Sequence, residues 1–157
     1  MGLSERVKRN VDLSYTEGRI PVSYVYTYGL GMEKFFRAIK EKGDLLASRC
    51  PECGAVYFPC RIFCERCFSE IPRTFKVSGE GTVYSYTVCH LDVDGSPKKE
   101  PDVVGLIEVD GTDGAKFVHF IDAKPDKVTI GRKVKPVLKV KKDRKGGIFD
   151  IKGFRQV

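Results

Sequence analysis

A chain of 157 residues with 41% hydrophobic and 11% aromatic residues can bury one ordinary domain plus a small module, which excludes global disorder. No apolar run reaches the length of a membrane span, and residues 1–10 mix charges without an apolar core, so neither an anchor nor a secretory signal is expected. The net charge of +7 is uneven: residues 132–155 hold ten Lys or Arg against Asp143 and Asp150, a local excess of +8 that either attracts phosphates or forms the solvated outer face of lysine-rich strands.

Taken in chain order, residues 4–10 suit a short frayed helix. Residues 22–28 are extended in character, with Val22, Tyr24, Tyr26 and Tyr28 on one side, and Gly29 and Gly31 then break the pattern. Met32, Phe35, Phe36 and Ile39 recur at helical spacing, which predicts a helix over 32–42 stopped by Gly43. At eleven residues it is marginal alone and must pack on its neighbour.

Residues 44–72 read as a metal ribbon. Cys50-Pro51-Glu52-Cys53 and Cys64-Glu65-Arg66-Cys67 are two Cys-x2-Cys knuckles separated by residues 54–63. Each pair can place two thiolates on one ion, and a short ribbon brings the pairs together. An all-thiolate set suits zinc, with iron in a rubredoxin-like site as the alternative. Four protein ligands leave no position for water or substrate, so the ion is expected to be structural. Cys60 lies inside the ribbon and can compete as a ligand only through Cys60-x3-Cys64; two equal knuckles are the simpler solution. Strands are expected at 45–49 and 56–58, with Gly54 relaxing the first turn.

From Phe75 the pattern changes to a succession of strands: 81–88, 103–109, 116–122, 133–141 and 148–154. Residues 92–102, with Gly95, Pro97 and Pro101, read as a loop, and 123–131 as a long connector. Five strands with the long connector after the third match an OB-fold, although the count alone also allows an SH3-like barrel. Gly105 would permit the curvature that closure needs.

Catalytic chemistry is not legible. His90 follows Cys89 directly, and neighbours on a strand face opposite ways, so the pair does not make an activated thiol. His119 alternates with Phe117 and Ile121 and reads as a barrel histidine. No Gly-x-Ser-x-Gly, P-loop or Gly-x-Gly-x-x-Gly is present, and the carboxylates Asp92, Asp94, Asp102, Asp110, Asp113 and Asp126 fall mostly in turns.

The order of parts is itself informative. Phe35-Phe36-Arg37-Ala38-Ile39, the stretch from Leu45 through Cys50-Pro51-Glu52-Cys53-Gly54, Tyr57-Phe58-Pro59 with Arg61 and the second cysteine pair, and Gly79-Glu80-Gly81-Thr82-Val83-Tyr84-Ser85-Tyr86-Thr87 together resemble a family of archaeal and bacterial proteins. In that family a rubredoxin-like zinc ribbon is joined to an OB-fold, and its members are described as acyl-CoA-associated. The resemblance covers roughly residues 31–155. It departs at Cys60, where the family usually has a second proline before the arginine.

The resemblance implies a non-catalytic accessory role, bridging acetoacetyl-CoA thiolase and 3-hydroxy-3-methylglutaryl-CoA synthase and helping to house coenzyme A or an acyl-CoA. Basic side chains would meet its phosphates, with Arg61 on the ribbon or Lys141, Lys142, Arg144 and Lys145 in the basic hairpin as candidates. The expected organisation is an arm and helix over 1–43, a zinc ribbon over 44–72 with Cys50, Cys53, Cys64 and Cys67 as ligands, and an OB-fold over 73–157. Paired thiols of this kind fit a reducing cytoplasm. A different class of function remains open from the residues alone: an OB-fold for single-stranded nucleic acid, using Tyr84, Tyr86, Phe117 and the basic segment.

Overall fold

A computed structural model describes residues 25–157; the expected short helix at 4–10 and the beginning of the extended tyrosine segment lie outside them. The helix α1 spans Gly29–Lys42, three residues earlier than the glycines suggested. Gly31 does not break it but lets it approach the ribbon, since a Cβ there would stand 3.1 Å from the Cys60 carbonyl oxygen. At the other end Gly43 is left-handed (φ 79) and its N–H reaches Ala38 O and Ile39 O, the expected glycine stop.

The ribbon is a three-stranded antiparallel sheet of β1 (Leu45–Arg49), β2 (Val56–Tyr57) and β3 (Thr74–Val77), ordered β2-β1-β3. The pairing of β3 with Leu45 through Ser48 makes this strand part of the ribbon sheet rather than of the barrel.

The barrel follows: β4 (Gly81–Leu91), β5 (Pro97–Val109), β6 (Lys116–Phe120), β7 (Lys133–Leu138) and β8 (Ile151–Gln156), ordered β6-β5-β4-β7-β8. A parallel bridge between Ile121 and Phe154 joins the two outer strands. First strand against second and fourth, third against fifth, is the OB-fold arrangement and removes the SH3-like alternative. The connector over 121–132 contains only the short 3-10 turn Pro125–Lys127. Gly105 serves closure by clearance: a Cβ would lie 2.4 Å from Ile121 Cδ1.

Two expectations need correction. Residues 97–102 are strand, not loop, because they extend β5 beside β4 in a long hairpin. Only Val104 to Glu108 pair with β6, so Pro97 and Pro101 lie where β5 has a neighbour on one side only, and a missing N–H is tolerated there. The last strand starts at Ile151 because Ile148–Asp150 forms a 3-10 turn instead.

One core serves all the parts. Phe35 and Ile39 of α1, Leu45, Ala47, Val56 and Phe58 of the ribbon, and Val83, Ile107, Phe117, Val134, Ile151 and Phe154 of the barrel form a single buried cluster. Phe58 is its joint, with ring centroids 5.5 Å from Phe35 and 5.3 Å from Phe117. Asp113, in the β5–β6 turn, ties barrel to ribbon again by accepting the Val56 N–H at 3.0 Å.

Candidate functional site

The sulfurs of Cys50, Cys53, Cys64 and Cys67 all lie within 4.8 Å of one another, with Cys50 to Cys67 and Cys53 to Cys64 at 3.5 Å. Four sulfurs around one zinc at the usual bond length of about 2.3 Å sit about 3.8 Å apart, so the set fits a tetrahedral ion. Such an ion would cross-link the two knuckles, and these four ligands would fill its coordination. Cys60 is outside the set: it is buried, its thiol donates to Gly31 O at 3.3 Å, and burial pushes its pKa up.

Hydrogen bonds from the ribbon polarise the Cys50 and Cys64 sulfurs toward thiolates. The buried Tyr57 hydroxyl stands 3.1 Å from Cys64 Sγ and holds that thiol down to about 6. The Cys53 N–H, 3.4 Å from Cys50 Sγ, leads the contacts that lower Cys50. Ser69 places its hydroxyl 3.1 Å from both Cys50 Sγ and Cys67 Sγ. Around Cys53 the Ala55 N–H works downward, but the hydrogen bond with Cys64, burial and the other two sulfurs together push it up to about 12. Tyr57 and Ser69 are thus supporting partners of the ligands. Nothing in the spacing of the cysteines points to Ser69, whereas Tyr57 stands in the sequence as a strand residue and part of the family motif, not as a partner of a sulfur.

The basic candidates separate into different places. Arg61 is paired with Glu65 and stacks 4.9 Å over the Tyr57 ring. Its backbone lies against Gly31 near the start of α1, whereas Arg144 reaches the far end, so about 18 Å of helix separates the two. Arg144 is half-buried and donates to Lys139 O (2.8 Å) and Ile39 O (3.1 Å), completing the last turn of α1. Lys141, Lys142 and Lys145 are exposed around it. The loop that carries them is built on Asp150, whose carboxylate accepts N–H groups of Lys145 (2.8 Å), Gly146 (2.6 Å) and Gly147 (3.4 Å). Burial opposes ionisation of Asp150, but these donors prevail and hold it below the usual carboxylate range. A small groove of about 360 Å³ runs between this loop and α1, lined by Phe36, Lys40 and Lys145 among others.

Two features of the barrel lie outside what the sequence reading singled out. Register places Val104 opposite Phe120 and Leu106 opposite Val118 on the outer face, with Tyr84 alongside. This face carries no free cation among the described residues: Lys116 lies 4.4 Å over the Tyr84 ring and pairs with Glu108 at 3.3 Å. Beside it a cleft of about 970 Å³ opens where β6 and β8 part. The cleft mixes four carboxylates with Lys124, Lys152 and Arg155, and Arg155 is paired with Asp122.

The histidine expected in the barrel is there. His119 is buried with its ring stacked on Phe117; Nδ1 accepts the Phe120 N–H at 2.9 Å, and burial lowers its pKa. No described helix is long and apolar enough to cross a membrane.

Comparison with known proteins agrees with the geometry. Residues 37–73 match the ChsH2 rubredoxin-like zinc ribbon domain, and residues 76–139 match the ChsH2 C-terminal OB-fold domain. A DUF35 domain-containing scaffold protein of Methanocaldococcus jannaschii is 38% identical over 121 residues, 73% of this chain and 82% of that protein. A second, from Methanothermobacter thermautotrophicus, is 32% identical over 76% of this chain and 90% of its own length. A probable enoyl-CoA hydratase alpha subunit of Thermomonospora curvata is 35% identical over 102 residues, which is 30% of that protein. Among solved structures, a DUF35 protein of unknown function from Sulfolobus solfataricus aligns with TM-score 0.59 at 28% identity, over 69% of this chain and 78% of that one. The Ltp2-ChsH2(DUF35) aldolase aligns with TM-score 0.57 at 28% identity, over 78% of this chain and 91% of the matched chain. The chain therefore belongs to the DUF35 family, joining a ChsH2-type rubredoxin-like zinc ribbon to an OB-fold.

Proposed function

We propose that this chain is a non-catalytic adaptor that binds or bridges thiolase-type acyl-CoA enzymes, namely a thiolase and a 3-hydroxy-3-methylglutaryl-CoA synthase. Its ion, zinc rather than iron, is closed within four thiolates and holds the ribbon together. The observation that carries the docking role is the apolar patch on the outer face of β5 and β6. That is the strand face on which OB-folds usually meet their ligands, and here it offers Val104, Leu106, Val118 and Phe120 rather than a cationic groove. The scaffold and aldolase-complex names of the relatives support the same reading.

Coenzyme A carries several phosphates, and Lys141, Lys142 and Lys145 on their anchored loop are the cations suited to hold them; Arg144 supports that loop from within. Co-purification of the tagged full chain with the thiolase and synthase of its own source tests the adaptor role. Retention of both enzymes is expected, and loss of both under gentle conditions refutes it. Joint replacement of Lys141, Lys142 and Lys145 by Ala should weaken coenzyme A retention by the assembly; unchanged retention moves the phosphate site elsewhere.

The exposed lysines also leave room for single-stranded nucleic acid. Titration with labelled DNA and RNA at two salt concentrations separates the readings, because tight binding with a steep salt slope would favour the nucleic-acid role.

A further inference from the structure

Beyond Val83, strand β4 runs on as one side of an arm. The connector covers its backbone only as far as Val83, through Val83 N to Arg132 O (2.9 Å) and Gly131 N to Val83 O (2.8 Å), and β7 pairs with Gly81 and Thr82 alone. From Tyr84 to Leu91 the strand has β5 on one side and no hydrogen-bonding neighbour on the other among the described residues. The two edges of the arm differ. Along β5, residues 97–102 carry Pro97, Lys98, Lys99, Glu100, Pro101 and Asp102, the prolines and charges that keep an edge from pairing. Along β4, residues 84–91 hold no proline and no Asp, Glu, Lys or Arg, while Tyr84, Tyr86, Thr87 and Val88 favour a strand. An open, uncharged edge of this kind is a template for another strand.

Three observations select a second copy as that strand. The ladder to β5 shifts register around Tyr84 and again around His90, which leaves 85–89 as the regular stretch, with Thr87 at its midpoint. Antiparallel pairing about a two-fold at Thr87 sets Thr87 opposite Thr87, Tyr86 opposite Val88 and Ser85 opposite Cys89. These include Thr–Thr and aromatic–β-branched pairs, and no like charges face each other. The same two-fold sets Leu91 opposite Val83, so the arm's tip lies beside the connector that covers Val83 in the other copy. Leu91 and Val93 at the tip and Ile130 on the connector are all exposed apolar side chains. The charges agree as well: the tip, 92–96, carries only Asp92 and Asp94, whereas 129–132 carries only Arg132, which has no ion-pair partner among the described residues. Each Gly81 then stands about 20 Å from the axis, so the two barrels lie at opposite ends of the pairing.

We propose that this chain forms a dimer through the β4 edges, paired antiparallel about Thr87, with Asp94 of each copy meeting Arg132 of the other. The contact is isologous, so every pairing except the central one occurs twice. A two-fold of this kind stands perpendicular to the sheet and keeps its faces aligned. Both copies therefore turn Val104, Leu106, Val118 and Phe120 to the same side. The dimer itself does not depend on which enzymes the adaptor serves.

Sedimentation equilibrium of the full zinc-loaded chain, from micromolar to submillimolar concentration, reads the association, and calorimetry reads folding. Wild type should dimerise reversibly. Thr87→Lys sets two ammonium groups against each other at an exposed position, so the dimer Kd should rise at least about 5-fold with Tm of the monomer unchanged. Thr87→Glu should do the same, and an equimolar mixture of the two variants should regain wild-type association. Arg132→Glu and Asp94→Lys should each weaken the dimer, and the double exchange should restore it. Should Thr87→Lys melt well below wild type, the Asp94 and Arg132 variants decide. A wild-type monomer throughout the range overturns the proposal, as does a dimer indifferent to these variants, or charge exchanges that fail to restore it. Loss of enzyme capture by Thr87→Lys from a chain that stays monomeric assigns the edge to an enzyme strand and overturns it too.

Discussion

Phe58→Ala should damage this protein more than its place just after a two-residue strand suggests. The ring is buried between Phe35 of α1 and Phe117 of β6, so it belongs at once to helix, ribbon and barrel. Removing a buried Phe side chain costs about 3–5 kcal/mol, because the transfer energy is lost and a cavity remains. For a chain of this length each kcal/mol lowers Tm by about 2–4 °C, which gives a fall of about 6–20 °C. Calorimetry of the metal-loaded protein reads the shift. Hydrogen exchange should lose protection in α1 and in β6 together, since both lean on the same ring. A fall below about 3 °C, or exchange confined to the ribbon, would mean that ribbon and barrel are stable separately and that the shared core is not the coupling described.

Asp150→Asn removes the charge on which the basic loop is folded, and at neutral pH should cost about 1.5–3 kcal/mol by chemical denaturation. Because the folded-state pKa of Asp150 is depressed, its contribution is fully present above the unfolded carboxylate value of about 3.9 and fades as pH falls through the folded value. Wild type should therefore lose this margin as pH falls below about 4, whereas Asp150→Asn should show a flatter acid limb; parallel limbs would refute the assignment. Tyr57→Phe deletes the hydroxyl at Cys64 while keeping the buried ring, and metal retention against a competing chelator should fall about 10–100-fold with little change in Tm of the loaded protein. Retention equal to wild type would show that the hydroxyl does not support the site.

The sequence was most transparent where local chemistry and tertiary structure agree. Leu45–Arg49 was found as the strand that leads directly into the first knuckle, and the four knuckle cysteines lie together, as two Cys-x2-Cys pairs on a short ribbon imply. It misled where one residue type serves two ends. Gly31 read as the end of the extended segment ahead of the helix but lies inside α1, as a contact residue under the Cys60 carbonyl. Pro97 and Pro101 looked like loop residues because the one-sided neighbourhood that tolerates them exists only in the folded hairpin. Arg144 contributed to a count of charge, although its guanidinium finishes a helix more than a hundred residues away. The outer apolar face of the barrel stayed hidden because alternation shows that two faces differ, but not which strands lie opposite each other.

The tie between Val56 and Asp113, together with the buried ring at Phe58, leaves the chain no swivel between its two halves. Whatever rests on the ribbon and whatever rests on the barrel would be held at constant spacing and attitude, like tools clamped to one gauge. A product released at one would then always meet the other from the same direction.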